Sequence, residues 1–379
     1  MSLSRSIAHV ACGLSVILTC SLHGIQPALP FSGTDVWVPT PDLSDEAIIG
    51  YAVGIRPFRV SGLRLEEERV GSKRVLHNYG HGGSGLCLSW GSAEEVVQLV
   101  KGHRDRDQQA SIAILGGGVM GLTTAYELLR EGYPVCIYAD SWIPDVTSSV
   151  AAGYWSPCKI PEQASDAQRQ RIERIIDRSH ARLHSDATAA HPEFLGICYR
   201  DTYTYVKHEA NSGVWNRLWA PHHEISIPAR LHFDDDRQRE ALRRHALFID
   251  GAIFLSDLFK KVRDQGAVLV TRHFDSSEEL ATLEEPIIVN CTGLGSKILF
   301  QDQDLQGIRG HQIHFKKPVG FEMALSTKNL DCDGYFTFFC PWQDRLIVGG
   351  SLEDGEEDAI LDPRVIARIL EDARQSLAH

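Results

Sequence analysis

The chain has 379 residues, 43% of them hydrophobic and 23% charged, and a formal net charge of −12. These are globular proportions at a length that holds two lobes or one large α/β unit, which excludes wholesale disorder. The acidic balance argues against a phosphate-backbone partner, so no nucleic acid is expected.

Residues 1–35 carry one early arginine, Arg5, ahead of the apolar run IAHVACGLSVILTC. That run has the length of a signal-peptide core and is too short to cross a bilayer comfortably, so no membrane span is expected. It lacks a clear small-residue cleavage pattern and reads equally as an apolar helix packed on the fold. Cleavage within residues 1–25 implies secretion. Nine scattered cysteines without a CxxC pair point instead to buried thiols in the cytoplasm or a peroxisome-like compartment.

Downstream, DEAIIGYAVGIRPFRVSGLRLEEE alternates as strands do, with Gly54 and Pro57 as punctuation. RVLHNYG reads as a strand ending in a loop, AEEVVQLVK as a helix and the polar GHRDRDQQA as a linker. SIAIL is a buried parallel-type strand, GVMGLTTAYELLREG has helical spacing closed by Gly132, and PVCIYAD completes a βαβ unit. DAQRQRIERIIDRSHARLHSD is an amphipathic helix whose charges suggest a solvated face, GICYRDTYTYVKHE is strand-like, and VWNRLWAPHHE belongs in a second lobe. LSDLFKKVRDQGAVLVTRHF reads as helix, turn and strand, and PIIVNCTG as a buried strand. FTFFCPWQDRLIVGG follows as a hairpin and DPRVIARILEDARQSLA as a closing helix.

Chemistry enters at Gly116, Gly118 and Gly121, a G-x-G-x-x-G between strand and helix that also places Val119 and Met120 at the helix start. The first glycine permits the tight turn, the second the approach of a pyrophosphate, and the third close packing of helix on strand. Asp140 ends the next strand, where an acid can hold ribose hydroxyls. The pattern predicts dinucleotide binding and by itself leaves FAD and NAD open.

TSSVAAGYWSP (147–157), VNCTGLGSK (289–297), IRGHQI (308–313) and FFCP (338–341) follow in an order and spacing that resemble the D-amino-acid oxidase family. GIRP (54–57) and HNYGHGGSGLC (77–87) resemble motifs that this family carries near its end, yet here they precede the βαβ unit. The resemblance therefore implies a circularly permuted chain, with a misassembled gene as the competing account. The implied fold is α/β, an FAD-binding Rossmann-type domain plus a smaller α+β substrate domain with a mixed or antiparallel sheet. After the 1–35 extension, segment 36–105 is expected to complete both sites, and 106–160 to form the FAD-binding βαβ unit. Segment 161–250 falls mainly in the substrate domain, 251–307 in the FAD domain, and 308–379 supplies substrate-domain strands and the closing helix.

The resemblance implies FAD as cofactor, an amino acid and O2 as small-molecule partners, and no metal. It places Thr147, Ser148, Ala151, Ala152, Gly153, Thr292, Gly82, Gly83, Gly85, Leu86 and Cys87 against the flavin. It also implies that Arg56 grips the substrate carboxylate and that the backbone near Gly83 receives the amine; a guanidinium fork matches a carboxylate bidentately. Family tyrosines are replaced by Phe338 and by Gly334 with Tyr335 beside it, and Tyr154 and Ser156 further alter the pocket. His77 and His81 are expected to make structural hydrogen bonds. The implied reaction is hydride transfer from the amino-acid Cα to flavin N5, giving an imino acid that hydrolyses to a 2-oxo acid and ammonia while O2 becomes H2O2. A secondary-amine or glycine-type oxidase, a biosynthetic desaturase and a non-catalytic flavin binder are the competing readings.

Overall fold

The computed structural model describes residues 33–102, 110–157, 160, 165–205, 222, 225–328 and 334–378. Residues 1–32 of the N-terminal extension, most of the GHRDRDQQA linker and most of VWNRLWAPHHE lie outside the described residues. In chain order the early elements are β1 (Thr34–Val38), β2 (Ile48–Arg59), β3 (Glu67–Val70), β4 (Lys73–His77), α1 (Gly85–Lys101), β5 (Ile112–Leu115), α2 (Val119–Arg130) and β6 (Val135–Ala139). Then come α3 (Asp166–Thr188), β7 (Ile197–Tyr205), β8 (Ile227–Phe233), β9 (Gln238–Ile249), α4 (Gly251–Asp264), β10 (Val268–Thr271) and β11 (Ile287–Asn290). The remainder is β12 (Leu305–Phe315), β13 (Ala324–Lys328), β14 (Tyr335–Pro341), β15 (Leu346–Ser351), β16 (Glu353–Asp354) and α5 (Pro363–Ala378). No helix among the described residues is long and apolar enough to cross a membrane.

IAIL of β5 and IIVN of β11 are buried at every position, as parallel strands covered on both faces must be. They sit in a six-stranded sheet of order β10-β6-β5-β11-β4-β3, parallel except for β3. Leu76, Ile112, Ile114 and Val289 pack one face against α1, α2 and α4; Val75, Ala113, Leu115 and Ile288 pack the other against Phe274, Leu280 and Leu299. The second sheet has ten strands in the order β1-β8-β9-β7-β13-β14-β15-β12-β16, with β2 paired antiparallel to β12 from Leu305↔Arg59 to Phe315↔Ile48. β1 and β13 make parallel pairs in it, so the sheet is mixed. The apolar face of α5, Ile366, Ile369, Ala373 and Leu377, is buried in one core with Ile313, Phe339 and Val348.

Two local expectations change. The helix expected over AEEVVQLVK begins earlier, at Gly85, and takes in LSWGS. Gly91 is in the helix because a Cβ there would overlap the backbone of Ile175, so α1 and α3 cross at backbone contact, and Gly91 N–H donates to Ser179 Oγ at 2.8 Å. The charged face of α3 is also not simply solvated: Arg171 and Arg178 reach Glu95 of α1 at 3.3 and 2.9 Å.

Candidate active site

The carboxyl ends of β5, β6 and β11 open into a cavity of about 1480 Å3, whose other walls come from β2, β7, β9, β12, β14 and β15. A pocket at that end of a parallel sheet is where dinucleotides bind, and this one exceeds the usual range for one small ligand.

The glycine turn is built as its spacing demands. Gly116 has φ +113°, and a Cβ there would lie 2.5 Å from Cys291 O. A Cβ on Gly121 would overlap Gly116 O, so the first turn of α2 lies directly on the end of β5. Gly118, Val119 and Met120 line the cavity at the helix N-terminus, and Val119 N–H donates to Ser148 Oγ at 3.3 Å. Asp140 lines the same cavity at the end of β6, 3.4 Å from His273 Nδ1.

Thr147 and Ser148 belong to a 3-10 turn, followed by Ala151, Ala152 and Gly153, and all five line the cavity. Gly153 has φ +89°, and a Cβ on it would overlap Ile249 O, so this turn runs against the end of β9. Thr292 also lines the cavity; its hydroxyl is held by Asn290 Oδ1 and Ser296 Oγ, each at 2.8 Å. From the segment ahead of the βαβ unit come Gly83, Gly85 and Leu86, at the N-terminus of α1.

Arg56 lines the cavity from β2. Its stem crosses Gly83, where a Cβ would lie 2.7 Å from Arg56 Cδ, and its guanidinium lies flat enough on Gly310 to leave no room for a side chain. Arg56 Nη1 donates to Ser351 O at 3.4 Å. Tyr154 and Phe338 are in the wall, their ring centroids 6.0 Å apart. Burial raises the Tyr154 phenol, an effect opposed by the nearby Arg244 cation.

Four of the expected residues do not line the cavity. Tyr335 points away from it: strand alternation puts Phe336 and Phe338 in the wall, while the Tyr335 ring lies under Arg368 of α5 at 5.7 Å. Cys87 is buried behind the wall, with its carbonyl accepting from Trp155 Nε1 at 3.3 Å. Gly82 donates its N–H to Pro57 O at 2.8 Å, and Gly121 acts through helix–strand packing, so both shape backbone.

His77 and His81 make structural hydrogen bonds. His77 Nδ1 is 3.1 Å from Asn290 Nδ2, and His81 Nε2 is 3.1 Å from Ser92 Oγ. Burial draws both pKa values down to about 4, with the Arg64 charge adding to the effect at His77. Cavity residues that sequence reasoning missed include Arg244, Ser226, Thr202, Gln312 and Phe336. Arg244 donates to Ser226 Oγ at 3.2 and 2.9 Å. In RRH, next to another arginine, nothing but strand register distinguishes it.

The arrangement fits a dinucleotide with an attached ring system. The N-terminus of α2 and the side-chain-free glycine backbone line the cavity, and the N-terminus of α1 lines it together with Arg56, which packs on Gly83. The sequence profile of the DAO family, FAD dependent oxidoreductase, matches residues 111–379. A D-amino-acid oxidase of Streptomyces coelicolor is 27% identical over 267 residues, which are 70% of this chain and 77% of that protein. A D-aspartate oxidase of Homo sapiens is 26% identical over 261 residues, 65% and 70% of the two chains. Among solved structures, glycine oxidase from Geobacillus kaustophilus has a TM-score of 0.49 at 15% identity, covering 70% of this chain and 77% of that one. The profile match takes in the β5–α2–β6 unit, β11 and β12, which all contribute to the cavity wall, and the chain belongs to this family of FAD-dependent oxidoreductases.

Proposed function

We propose that the protein oxidatively deaminates a D-amino acid to the 2-oxo acid and ammonia, with O2 reduced to H2O2. The observation that carries this is Arg56, a guanidinium braced on Gly83 and Gly310 within a cavity that also contains the dinucleotide turn. Such a fork holds a carboxylate in one orientation, which fixes the Cα–H of an amino acid relative to the cofactor. FAD, when bound, would supply the two-electron acceptor for a hydride from Cα and the means of reducing O2. Gly116, Gly118, Val119 and Met120 would hold its pyrophosphate, Asp140 its ribose, and Thr147, Ser148, Ala151, Ala152, Gly153 and Thr292 the remainder. The N-terminus of α1, with Gly83, Gly85 and Leu86, favours negative charge on the ring system.

Arg244 is a second guanidinium in the same cavity, and it favours a substrate with a side-chain carboxylate. Leaving such a charge without its partner typically costs about 1.5–3 kcal/mol, or roughly ten- to a hundredfold in affinity. Relatives named D-aspartate oxidase agree with that preference. The segment order supports a permuted chain: β2, β4 and α1 precede the βαβ unit in sequence yet pair with β12 and β11 and close the cavity.

The test is anaerobic bleaching of the yellow holoenzyme by a panel of D-amino acids. Dicarboxylic D-amino acids are expected to reduce it best. Arg56→Ala should raise KM for all of them, and Arg244→Leu for the dicarboxylic ones, with flavin retained in both. Bleaching by N-alkyl amino acids alone would move the assignment to a secondary-amine oxidase.

A further inference from the structure

His311 occupies the middle of IRGHQI, between Gly310 and Gln312, and all three residues contribute to the cavity wall. Alternation along β12 sends its ring to the opposite face, toward the start of α5, and the residue is only 1% exposed. There the backbone N–H of Asp362, the residue before α5, donates to His311 Nε2 at 3.1 Å. A ring nitrogen that accepts carries no proton, so Nδ1 carries it and donates to Glu353 Oε1 at 2.8 Å. Ser351 Oγ donates to the same carboxylate oxygen at 2.8 Å and accepts from His311 N–H at 3.1 Å. Glu353 Oε2 in turn receives Arg309 Nη2 at 2.8 Å. The imidazole therefore locks β12, β15 and the approach to α5 together through hydrogen bonds of fixed direction.

What this lock holds is the support of Arg56. Gly310, the residue before His311, is the surface on which the guanidinium lies. Ser351, fully buried, offers its carbonyl oxygen to Arg56 Nη1 at 3.4 Å. That bond is near the limit for a hydrogen bond, so a few tenths of an ångström at Ser351 decide whether it forms. We propose that His311, with Ser351 and Glu353, is a positioning residue that sets the orientation of the Arg56 guanidinium from the far face of the sheet. The proposal rests on Arg56 being the carboxylate grip.

The test uses the FAD-loaded enzyme with benzoate, a carboxylate with no α-hydrogen to lose, whose binding is read from the flavin absorbance. His311→Leu is expected to raise the benzoate Kd and the KM for the D-amino acid about tenfold while kcat changes less than about twofold. His311→Asn, whose amide nitrogen stands where Nδ1 was, should recover most of the loss. Ser351→Ala, a smaller change that removes one hydroxyl, should raise the same two constants several-fold. Unchanged benzoate binding in His311→Leu or Ser351→Ala overturns the proposal, as does an Asn variant no better than Leu. A uniform loss of flavin and kcat assigns His311 to stability alone and also overturns it. Arg56→Ala is the control for the underlying reading: if it leaves benzoate binding intact, the carboxylate grip fails and the positioning role with it.

Discussion

His77, His81, His180 and His314 each have a pKa drawn down to about 4, with burial the first cause in every case. In an unfolded chain an imidazole titrates near 6.5. Between about 4 and 6.5 the unfolded state therefore binds more protons than the folded one, and stability rises with pH across that window. The contribution is fully present above about pH 6.5 and is lost as the pH falls toward 4. Urea midpoints measured at pH 7, 6 and 5 should fall in that order; equal midpoints would contradict the buried, neutral assignment. At this scale the sequence was uneven. The place of Arg56 in the cavity was legible because G-x-R-P is a recognisable stretch, whereas the face taken by Tyr335 was not, because one residue of strand register exchanges the cavity face for the α5 face. Arg244 was invisible for the same reason.

Among the elements, the βαβ unit was the most legible, because each of its glycines answers a local demand that leaves a mark in sequence. The contact of Gly121 with Gly116 O makes a definite expectation possible. Gly121→Ala must push α2 off the end of β5, an overpacking that typically costs about 1–3 kcal/mol. The variant should show a lower thermal midpoint and a weaker FAD affinity, measured by flavin release on dilution; wild-type affinity would mean that the turn tolerates the displacement. The start of α1 was obscured for a tertiary reason. Gly91 weakens the helix by itself and is accommodated only because α3 approaches it at backbone distance, which local propensity cannot reveal. The arginines of α3 hid their role in the same way, since Glu95 lies on a helix far away in sequence.

For the whole molecule, the α/β class was legible from motif order, and the pairing of strands was not, since register between distant segments leaves no local trace. The proposal of a permuted order makes a prediction of its own. Arg374, in the last turns of α5, donates from Nε and Nη2 to Leu43 O at 3.0 and 2.7 Å, so the end of α5 lies beside the approach to β2. A chain relinked from residue 378 to residue 33 by a flexible spacer, which keeps β1 in its pairing with β8, and opened between residues 103 and 109, should fold, bind FAD and keep its KM. Failure of that chain to bind flavin would show that the present order is required for more than connectivity.

The pairing of β2 with β12 has a further consequence for how the protein is made. Arg59 meets Leu305 in that ladder, so the strand that bears Arg56 leaves the ribosome long before its partner exists. Contacts of such sequence separation form slowly, and until then β2 is an exposed strand edge open to wrong partners. Flavin, needing walls drawn from both ends of the chain, can bind only the finished molecule, and so adds its stabilisation after the most hazardous step of assembly.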